Sequence, residues 1–531
     1  MPSAGTVQDQ TNPKQSPPPA PSSLLLTRKA VQEAHELIKP FIHQTPVVTS
    51  SALSALASSS SFSSSTNTPA SNTNGTSTTT PGKQRTGHSN NNATTTGHSS
   101  ASPGPAATAR AGPTGPKINL FFKCENYQKV GAFKYRGATH ALARLSREEL
   151  ERGVVTHSSG NHAQALALAA RTRNVPAHIV MPTISTPSKI AATQAYGANV
   201  IFSGSTSQER EAVVRTVMSD TGAVLIPPYD HEHIILGQGT MALELEAQVE
   251  ELCQARPELD VHHGARRAPS PSSSPETSQR ATAAAAIAGA GHLDAVIAPL
   301  GGGGMLSGIA TALAPTSTLV FGAEPSFQGA DDGRRSLLRQ PPERIPTVSS
   351  LTIADGLRTP LSDLTFGVVS DADKVAGLHA VSERQIVEAM RLCVERLKLW
   401  IEPSAAVGLA VVLWDEEFRR GLLEREKAMR EEWERERRKR KESGESLAPE
   451  EWAWEGWNIG VVLSGGNTTI EAVGKIFDSV KKEQEEEEEE EEEGGEERGD
   501  HNITRDMEET KEREEGVVGM NGERVAENVA G

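Results

Sequence analysis

The sequence predicts an α/β fold whose sheets are largely parallel. Short apolar runs of strand length alternate with amphipathic stretches of helical period from Ile118 to Leu463, the pattern of repeated strand–helix–strand units. Several of these runs end in turns of small residues: Ser158-Ser159-Gly160-Asn161, Gly301-Gly302-Gly303-Gly304 and Ser464-Gly465-Gly466-Asn467. Ligands gather at such strand ends in open α/β sheets.

Taken in order, Ile118 to Cys124 is a strand-like run followed by a helix through Arg144. Val154 to His157 is a second strand and leads into a helix over His162 to Arg171. Strands at Ala177 to Met181 and Asn199 to Ser203 flank a helix at Ser188 to Tyr196. A helix around Gln208 to Met218 precedes a strand at Ala223 to Pro227, and the helix Gly239 to Leu252 follows. Ala295 to Leu300, Leu319 to Ala323 and Gly460 to Leu463 read as further buried strands.

Four stretches break this alternation. Residues 57–116 are Ser, Thr, Asn, Gly and Pro with almost no bulky apolar side chain, so they cannot offset the entropy of ordering. Residues 257–291 are Ser/Pro-rich and then alanine-rich, and 416–455 carry Glu, Arg and Lys at helical spacing, as an exposed charged helix does. Beyond about Gln484 the chain is acidic without apolar periodicity. These are insertions and tails rather than domains.

The net charge of −16 is unevenly spread, because the run Glu485 to Glu493 and its surroundings supply much of it. Such runs are usually solvated tails. The dense basic stretch Arg435 to Lys441 includes Glu in a helical context, so no nucleic-acid partner is expected. No apolar segment reaches the roughly 20 residues of a membrane span, and the N-terminus lacks a charged-then-apolar signal pattern. Cys124, Cys253 and Cys393 have no paired spacing, so neither disulfides nor a zinc site is expected. A cytoplasmic location follows as the default.

The four glycines Gly301 to Gly304 lie between the strand ending at Leu300 and a helix over Met305 to Leu313. Bare backbone N–H groups at a helix start can converge on an anion. One glycine pair would read as a tight turn; four in a row at this junction favour a phosphate. No Lys-Ser or Lys-Thr follows and the spacing misses G-x-G-x-x-G, so a nucleotide is not the first choice. Lys134 follows Phe133 just after the strand bearing Lys123 and Glu125. A lysine that is desolvated or near other cations loses its proton readily and can attack a carbonyl. An aldehyde with a phosphate handle fits both features, namely pyridoxal 5′-phosphate. Asn161 could donate to a ring oxygen or cap the helix after it, and Ser159 could pass a proton or merely turn the chain. A hydroxyl at Ser464 facing a pyridine nitrogen would leave that nitrogen largely unprotonated, favouring elimination and proton exchange over transamination.

With these residues the chain resembles the fold-type II pyridoxal-phosphate enzymes (the tryptophan synthase β-like group), and within them the serine racemases and serine/threonine dehydratases. The matching segments include Phe121 to Lys134, Thr156 to Ala165, Gly237-Gln238-Gly239-Thr240, Gly301 to Met305, Thr352 to Gly356, Ile401-Glu402-Pro403-Ser404 and Leu463 to Asn467. The resemblance implies two α/β domains with the cofactor in the cleft between them: a large domain over 23–150 and 229–482, and a small domain over 151–228, with a disordered N-terminus at 1–22 and an acidic tail at 483–531. It implies that Lys134 holds the cofactor aldehyde and acts as base at the substrate Cα. Phe133 would pack beside the cofactor ring, Asn161 bind its 3′-oxygen, Gly301, Gly302, Gly303, Gly304 and Met305 its phosphate, and Ser464 its nitrogen. Ser158, Ser159, Gly160, Asn161 and His162 would hold the substrate carboxylate. Serine at 159, the opposite-face acid/base of serine racemases, points away from biosynthetic threonine deaminases, as does the lack of a regulatory domain.

Relatives of this kind bind Mg²⁺ or Ca²⁺ through oxygen ligands, which suit a hard cation; here these would be Glu324, the Ala330 carbonyl and Asp332, although two extra residues separate Glu324 from the others. Ala132 stands where many relatives have serine and is read as tolerated. The implied reactions are racemisation of serine and dehydration of L-serine or L-threonine, with 3-hydroxyaspartate dehydration or β-replacement as alternatives and a non-catalytic scaffold as the third reading. The implied assembly is a homodimer acting on a small amino acid, and a nucleotide effector is among the partners the resemblance allows.

Overall fold

Two sheets organise the chain in a computed structural model that describes residues 26–59, 115–262, 292–443, 454 and 456–482. Residues 1–22, most of the two low-complexity insertions and the acidic tail lie outside the described residues. The strands are β1 (Val47–Thr49), β2 (Ile118–Cys124), β3 (Val154–His157), β4 (Ala177–Pro182), β5 (Asn199–Ser203), β6 (Val224–Leu225), β7 (Ala295–Pro299), β8 (Leu319–Pro325), β9 (Gly377–Val381) and β10 (Trp457–Leu463). The larger sheet has the order β1-β2-β10-β7-β8-β9, parallel throughout except for β1. The smaller sheet, β5-β4-β3-β6, is wholly parallel.

Both faces of the larger sheet are covered, which is why its strands read as continuous apolar runs. Successive side chains point to opposite faces. Phe121, Val296, Ala298 and Val462 pack on one side with the helices Arg28–Ile38, Glu232–Ala255 and Gly304–Leu313. Phe122, Ile297, Val461 and Leu463 pack on the other with Ser51–Ser58, Glu383–Leu392 and Pro403–Trp414. Burying one such side chain stabilises the fold by about 1.5–3 kcal/mol. The smaller sheet follows the same rule: Val154 and Ile179 face the helix Asn161–Thr172, and Val155 and Val180 face Ser207–Thr221.

The helix Lys134–Ala143 joins the two layers. Its Tyr135, Ala138, Ala141 and Leu142 enter the core beneath the smaller sheet, while its other side lies on Glu232–Ala255. It therefore packs with the 151–228 layer although it precedes residue 150. The Gly237-Gln238-Gly239-Thr240 segment explains how three helices approach so closely. A Cβ on Gly237 would stand 2.7 Å from the Cα of Gly137, and one on Gly239 would stand 2.5 Å from the Gly308 carbonyl oxygen.

Several boundaries differ from expectation. Glu232–Ala255 begins seven residues before Gly239, because the His231 ring accepts from the His233 N–H and caps it. The short strands β1 and β9 were not anticipated. Ala57 is buried at the end of its helix, and Val261 and His262 are buried after a 3₁₀ turn at Pro257–Leu259. These residues assigned to insertions thus belong to the packed structure. The charged stretch is a helix over Glu416–Glu442, but Phe418 and Leu422 are buried beneath its first turns. Residues 60–114, 263–291 and 444–453 lead into β2, β7 and β10, three adjacent strands, at their N-terminal ends.

Candidate active site

The small-residue turns lie at the opposite, C-terminal ends of the strands. Lys134 opens its helix after β2, Ser158 to Asn161 follow β3, Gly301 to Gly304 follow β7, and Ser464 follows β10. Backbone contacts tie the lysine segment to the β10 turn. The Phe133 N–H donates to the Ser464 carbonyl at 3.0 Å, and the Gly466 N–H donates to the Gly131 carbonyl at 2.9 Å. Ala132 forms a bridge with Gly465 and is fully buried.

The Lys134 amine donates to the Pro228 carbonyl at 2.8 Å and lies 5.0 Å from the centre of the Phe133 ring. Desolvation pushes its pKa down to about 8, against the opposing pull of the Glu402 charge. Neighbouring cations are not the cause. Lys123 instead donates to Thr45 O, Glu244 and Gln248. Together with Glu125, Arg136 and Glu244 it forms a buried, charge-balanced cluster. Arg136, two residues after Lys134, makes paired hydrogen bonds to both glutamates at 2.7–2.8 Å. Truncating one member of such a cluster would strand the others unpaired in the core, so the lysine helix is firmly anchored.

The glycine loop is shaped by what surrounds it. A Cβ on Gly302 would meet the Tyr229 ring at 2.6 Å, and one on Gly303 would meet Leu361 at 2.5 Å and Thr365 at 2.7 Å. Gly303 has φ 87°, a conformation that favours glycine. Thr365 Oγ1 donates to the Gly302 carbonyl at 2.9 Å. The N–H groups of Gly301 to Met305 have no acceptor among the described residues, as an anion cradle requires.

Asn161 is the first helical residue rather than the cap; Gly160 occupies the cap position. The Asn161 side-chain amide donates to Glu402 Oε1 and its oxygen accepts from Asn467 Nδ2, both at 2.8 Å. Asn467 also donates its backbone N–H to Glu402 Oε2 at 3.1 Å. Burial and the nearby Asp355 charge push Glu402 up to about 7. Ser159 has a half-buried hydroxyl with no hydrogen-bond partner among the described residues, and the N–H groups of Ser159, Asn161 and His162 are likewise free of acceptors. The His162 ring is turned into the core, with Nε2 3.0 Å from the Ile226 carbonyl, and burial pushes it down to about 3. Only its backbone can face a ligand. Lys189 pairs with Asp355 at 2.8 Å, a second contact between the smaller-sheet layer and the larger.

Glu324, near the end of β8, and Asp332, beyond it, are both buried. Glu324 accepts from the Gly333 and Arg334 N–H groups at 2.9 and 2.7 Å. The extra residues before Ala330 are accommodated in a 3₁₀ turn at Phe327–Gly329, with Gln328 and Gly329 at positive φ. Burial and mutual repulsion raise the Glu324 pKa, and burial pushes Asp332 up to about 6. No group of three or more His, Cys, Asp or Glu with metal-binding geometry occurs among the described residues. The three cysteines are buried and form no disulfide.

The sequence matches the family described as pyridoxal-phosphate dependent enzyme over residues 102–262 and 269–429. The chain belongs to this family. A serine racemase of Arabidopsis thaliana is 34% identical over 454 residues, covering 85% of this chain and 95% of that protein. An L-threo-3-hydroxyaspartate ammonia-lyase of Saccharomyces cerevisiae is 38% identical over 301 residues, covering 56% of this chain and 78% of that protein. The solved structure of maize serine racemase is 31% identical, with a TM-score of 0.55, and the match covers 87% of this chain and 99% of that one. The fold is the fold-type II α/β architecture.

The residues present fit the family's cofactor. A poised amine, a glycine cradle with orphaned N–H groups, and the Ser464 hydroxyl at the end of β10 supply partners for an aldehyde, a phosphate and a ring nitrogen. Glu402, Tyr229, Thr365 and Asn467 carry no sequence signal that by itself gives them a role in the site. For Glu402 the available signal was a carboxylate set in the apolar run before Pro403, where an ordinary helix-start acid would also be expected.

Proposed function

We propose that the chain is a pyridoxal-phosphate-dependent serine racemase that also dehydrates L-serine and L-threonine, with its cofactor in the cleft between the two α/β layers. The observation that carries this reading is the unpartnered Ser159 hydroxyl in the turn that also bears Asn161, in a site built around the Lys134 amine. When bound, pyridoxal phosphate withdraws electrons from the substrate Cα and makes its proton acidic. The cofactor would be held by Lys134, Phe133, Asn161, Gly301 to Met305 and Ser464.

The chain's own residues then do the following. The N–H groups of Ser159, Asn161 and His162, at a helix start, receive the substrate carboxylate. Neutral Lys134 removes the Cα proton, and Ser159 returns one to the other face, giving D-serine. Loss of the β-hydroxyl as water instead gives an enamine, which water then hydrolyses to pyruvate and ammonia, or to 2-oxobutanoate and ammonia from threonine. A hydroxyl rather than a carboxylate at Ser464 favours these outcomes over transamination.

Glu324, Asp332 and the Ala330 carbonyl suit Mg²⁺ or Ca²⁺. Two buried carboxylates with raised pKa values and no ion-pair partner among the described residues present an oxygen-rich setting that a hard cation would neutralise. We further propose that the enzyme is a cytoplasmic homodimer whose activity responds to a nucleotide effector. Among the described residues no helix is long and apolar enough to cross a membrane.

The test is incubation of the holoenzyme with L-serine, D-serine, L-threonine and threo-3-hydroxyaspartate, with and without Mg²⁺ and ATP, following chirality and keto acid. D-serine formed from L-serine supports the reading. Keto acid from 3-hydroxyaspartate alone would replace it with a hydroxyaspartate ammonia-lyase, the second reading favoured by the 38% identity to the yeast enzyme. Neither product from any substrate would refute both.

A further inference from the structure

The last three turns of the helix Glu416–Glu442 carry a run of exposed cations. Phe418 and Leu422 are buried and Met429 still packs against the larger-sheet core. Beyond it the helix carries Arg435, Arg437, Arg438, Lys439 and Lys441, all exposed. The helix's own ion pairs end with Lys427–Glu431 and Arg430–Glu434. None of the five cations makes an ion pair among the described residues; the Arg437 guanidinium lies over the Trp433 ring. Arg435 with Lys439 and Arg437 with Lys441 are like-charge neighbours at i,i+4, a spacing that destabilises a bare helix.

The rest of the chain returns to this region. After β10, residues 470–482 are helical, and Val473 and Phe477 pack on the same core cluster as Phe418, Leu422 and Met429. A helix that follows a parallel strand and packs on its sheet runs back toward the strand's start. The start of the larger sheet's strands is also where Arg419 of the charged helix holds the Ala57 and Ser59 carbonyls at 2.6 Å. Nine consecutive glutamates, Glu485 to Glu493, begin three residues beyond Lys482. From Met429 to Lys441 the helix advances about 18 Å, whereas residues 483–493 reach about 36 Å when extended.

We propose that the acidic run Glu485 to Glu493 docks along the basic end of the helix Glu416–Glu442 within the same chain, masking its five free cations. Opposite charge, the point at which the chain leaves the fold, and sufficient reach all support this occupant. A short tether gives an effective concentration in the millimolar range, and the contact weakens as salt shortens the roughly 10 Å screening length at 0.1 M.

Zero-length carbodiimide cross-linking of the full-length holoenzyme at low salt tests this, using a mixture of ¹⁵N-labelled and unlabelled chains to separate contacts within a chain from those between chains. Links from Lys439 or Lys441 to residues 485–493 within one chain, fading at high salt, are expected. Links only between chains would assign the basic face to a second copy and overturn the proposal, as would their absence. A labelled nine-glutamate peptide gives the second readout. It should bind a chain ending at Lys482 at least about tenfold more tightly than the full chain, and Arg437→Glu/Arg438→Glu/Lys439→Glu/Lys441→Glu should abolish that binding. Equal binding to full and shortened chains, or binding to neither, would overturn the proposal.

Discussion

Replacing Glu402 by Gln should change how stability depends on pH. Glu402 is 5% exposed and accepts hydrogen bonds from the Asn161 amide and the Asn467 N–H. Burial, reinforced by the Asp355 charge, moves its pKa from the ordinary 4.5 to about 7. At about 1.4 kcal/mol per pH unit this displacement corresponds to roughly 3 kcal/mol. The sign follows from proton counting. Between pH 4.5 and 7 the folded chain keeps a proton that the unfolded chain has released, so this group's contribution to stability falls as pH rises and levels off above 7. Glu402→Gln has no proton to lose. The stability difference between wild type and variant should therefore shift by roughly 3 kcal/mol against the wild type between pH 4.5 and 7.5. Denaturant-induced unfolding of both apoproteins at constant salt measures it. A difference that stays flat across this window would show that Glu402 is ionised throughout and refute the reasoning.

Three further outcomes follow from the site. Colour formation on adding pyridoxal phosphate to the apoprotein should speed up about tenfold per pH unit below 8 and level off above it, because the neutral Lys134 amine is the nucleophile and its pKa is about 8; a rise continuing to pH 10 would mean an ordinary lysine. Ser159→Ala should abolish D-serine formation while leaving keto-acid production from L-serine within severalfold of wild type, and chiral chromatography that still finds D-serine would remove Ser159 from its role. Gly302→Ala should weaken pyridoxal phosphate binding at least about tenfold in equilibrium dialysis, about 1.4 kcal/mol, since its Cβ would stand 2.6 Å from the Tyr229 ring; Tyr229→Ala in the same chain should restore part of that affinity.

The sheet strands were legible because burial on both faces leaves an unbroken apolar run, as in Ala295 to Pro299. The glycine loop and Lys134 were legible because their residue types are chemically unusual at strand ends. Contacts made across the cleft were not. Nothing in the spacing of Asn161, Glu402 and Asn467 shows that three elements far apart in sequence meet in one hydrogen-bonded triangle. The balance of Lys123, Glu125, Arg136 and Glu244 was equally hidden, since each alone reads as a surface charge. The edges of the insertions were misplaced for a related reason: Ala57 and His262 sit in polar or small-residue sequence yet are buried by long-range partners.

Residues 60–114, 263–291 and 444–453 lead into β2, β7 and β10, neighbouring strands that start at the end of the sheet remote from Lys134. Loop-closure entropy grows only with the logarithm of length. Lengthening the chain at these junctions should therefore cost little stability, roughly 0.6 kcal/mol for each doubling of a loop. Growth in size is partitioned from chemistry by the direction in which the strands point.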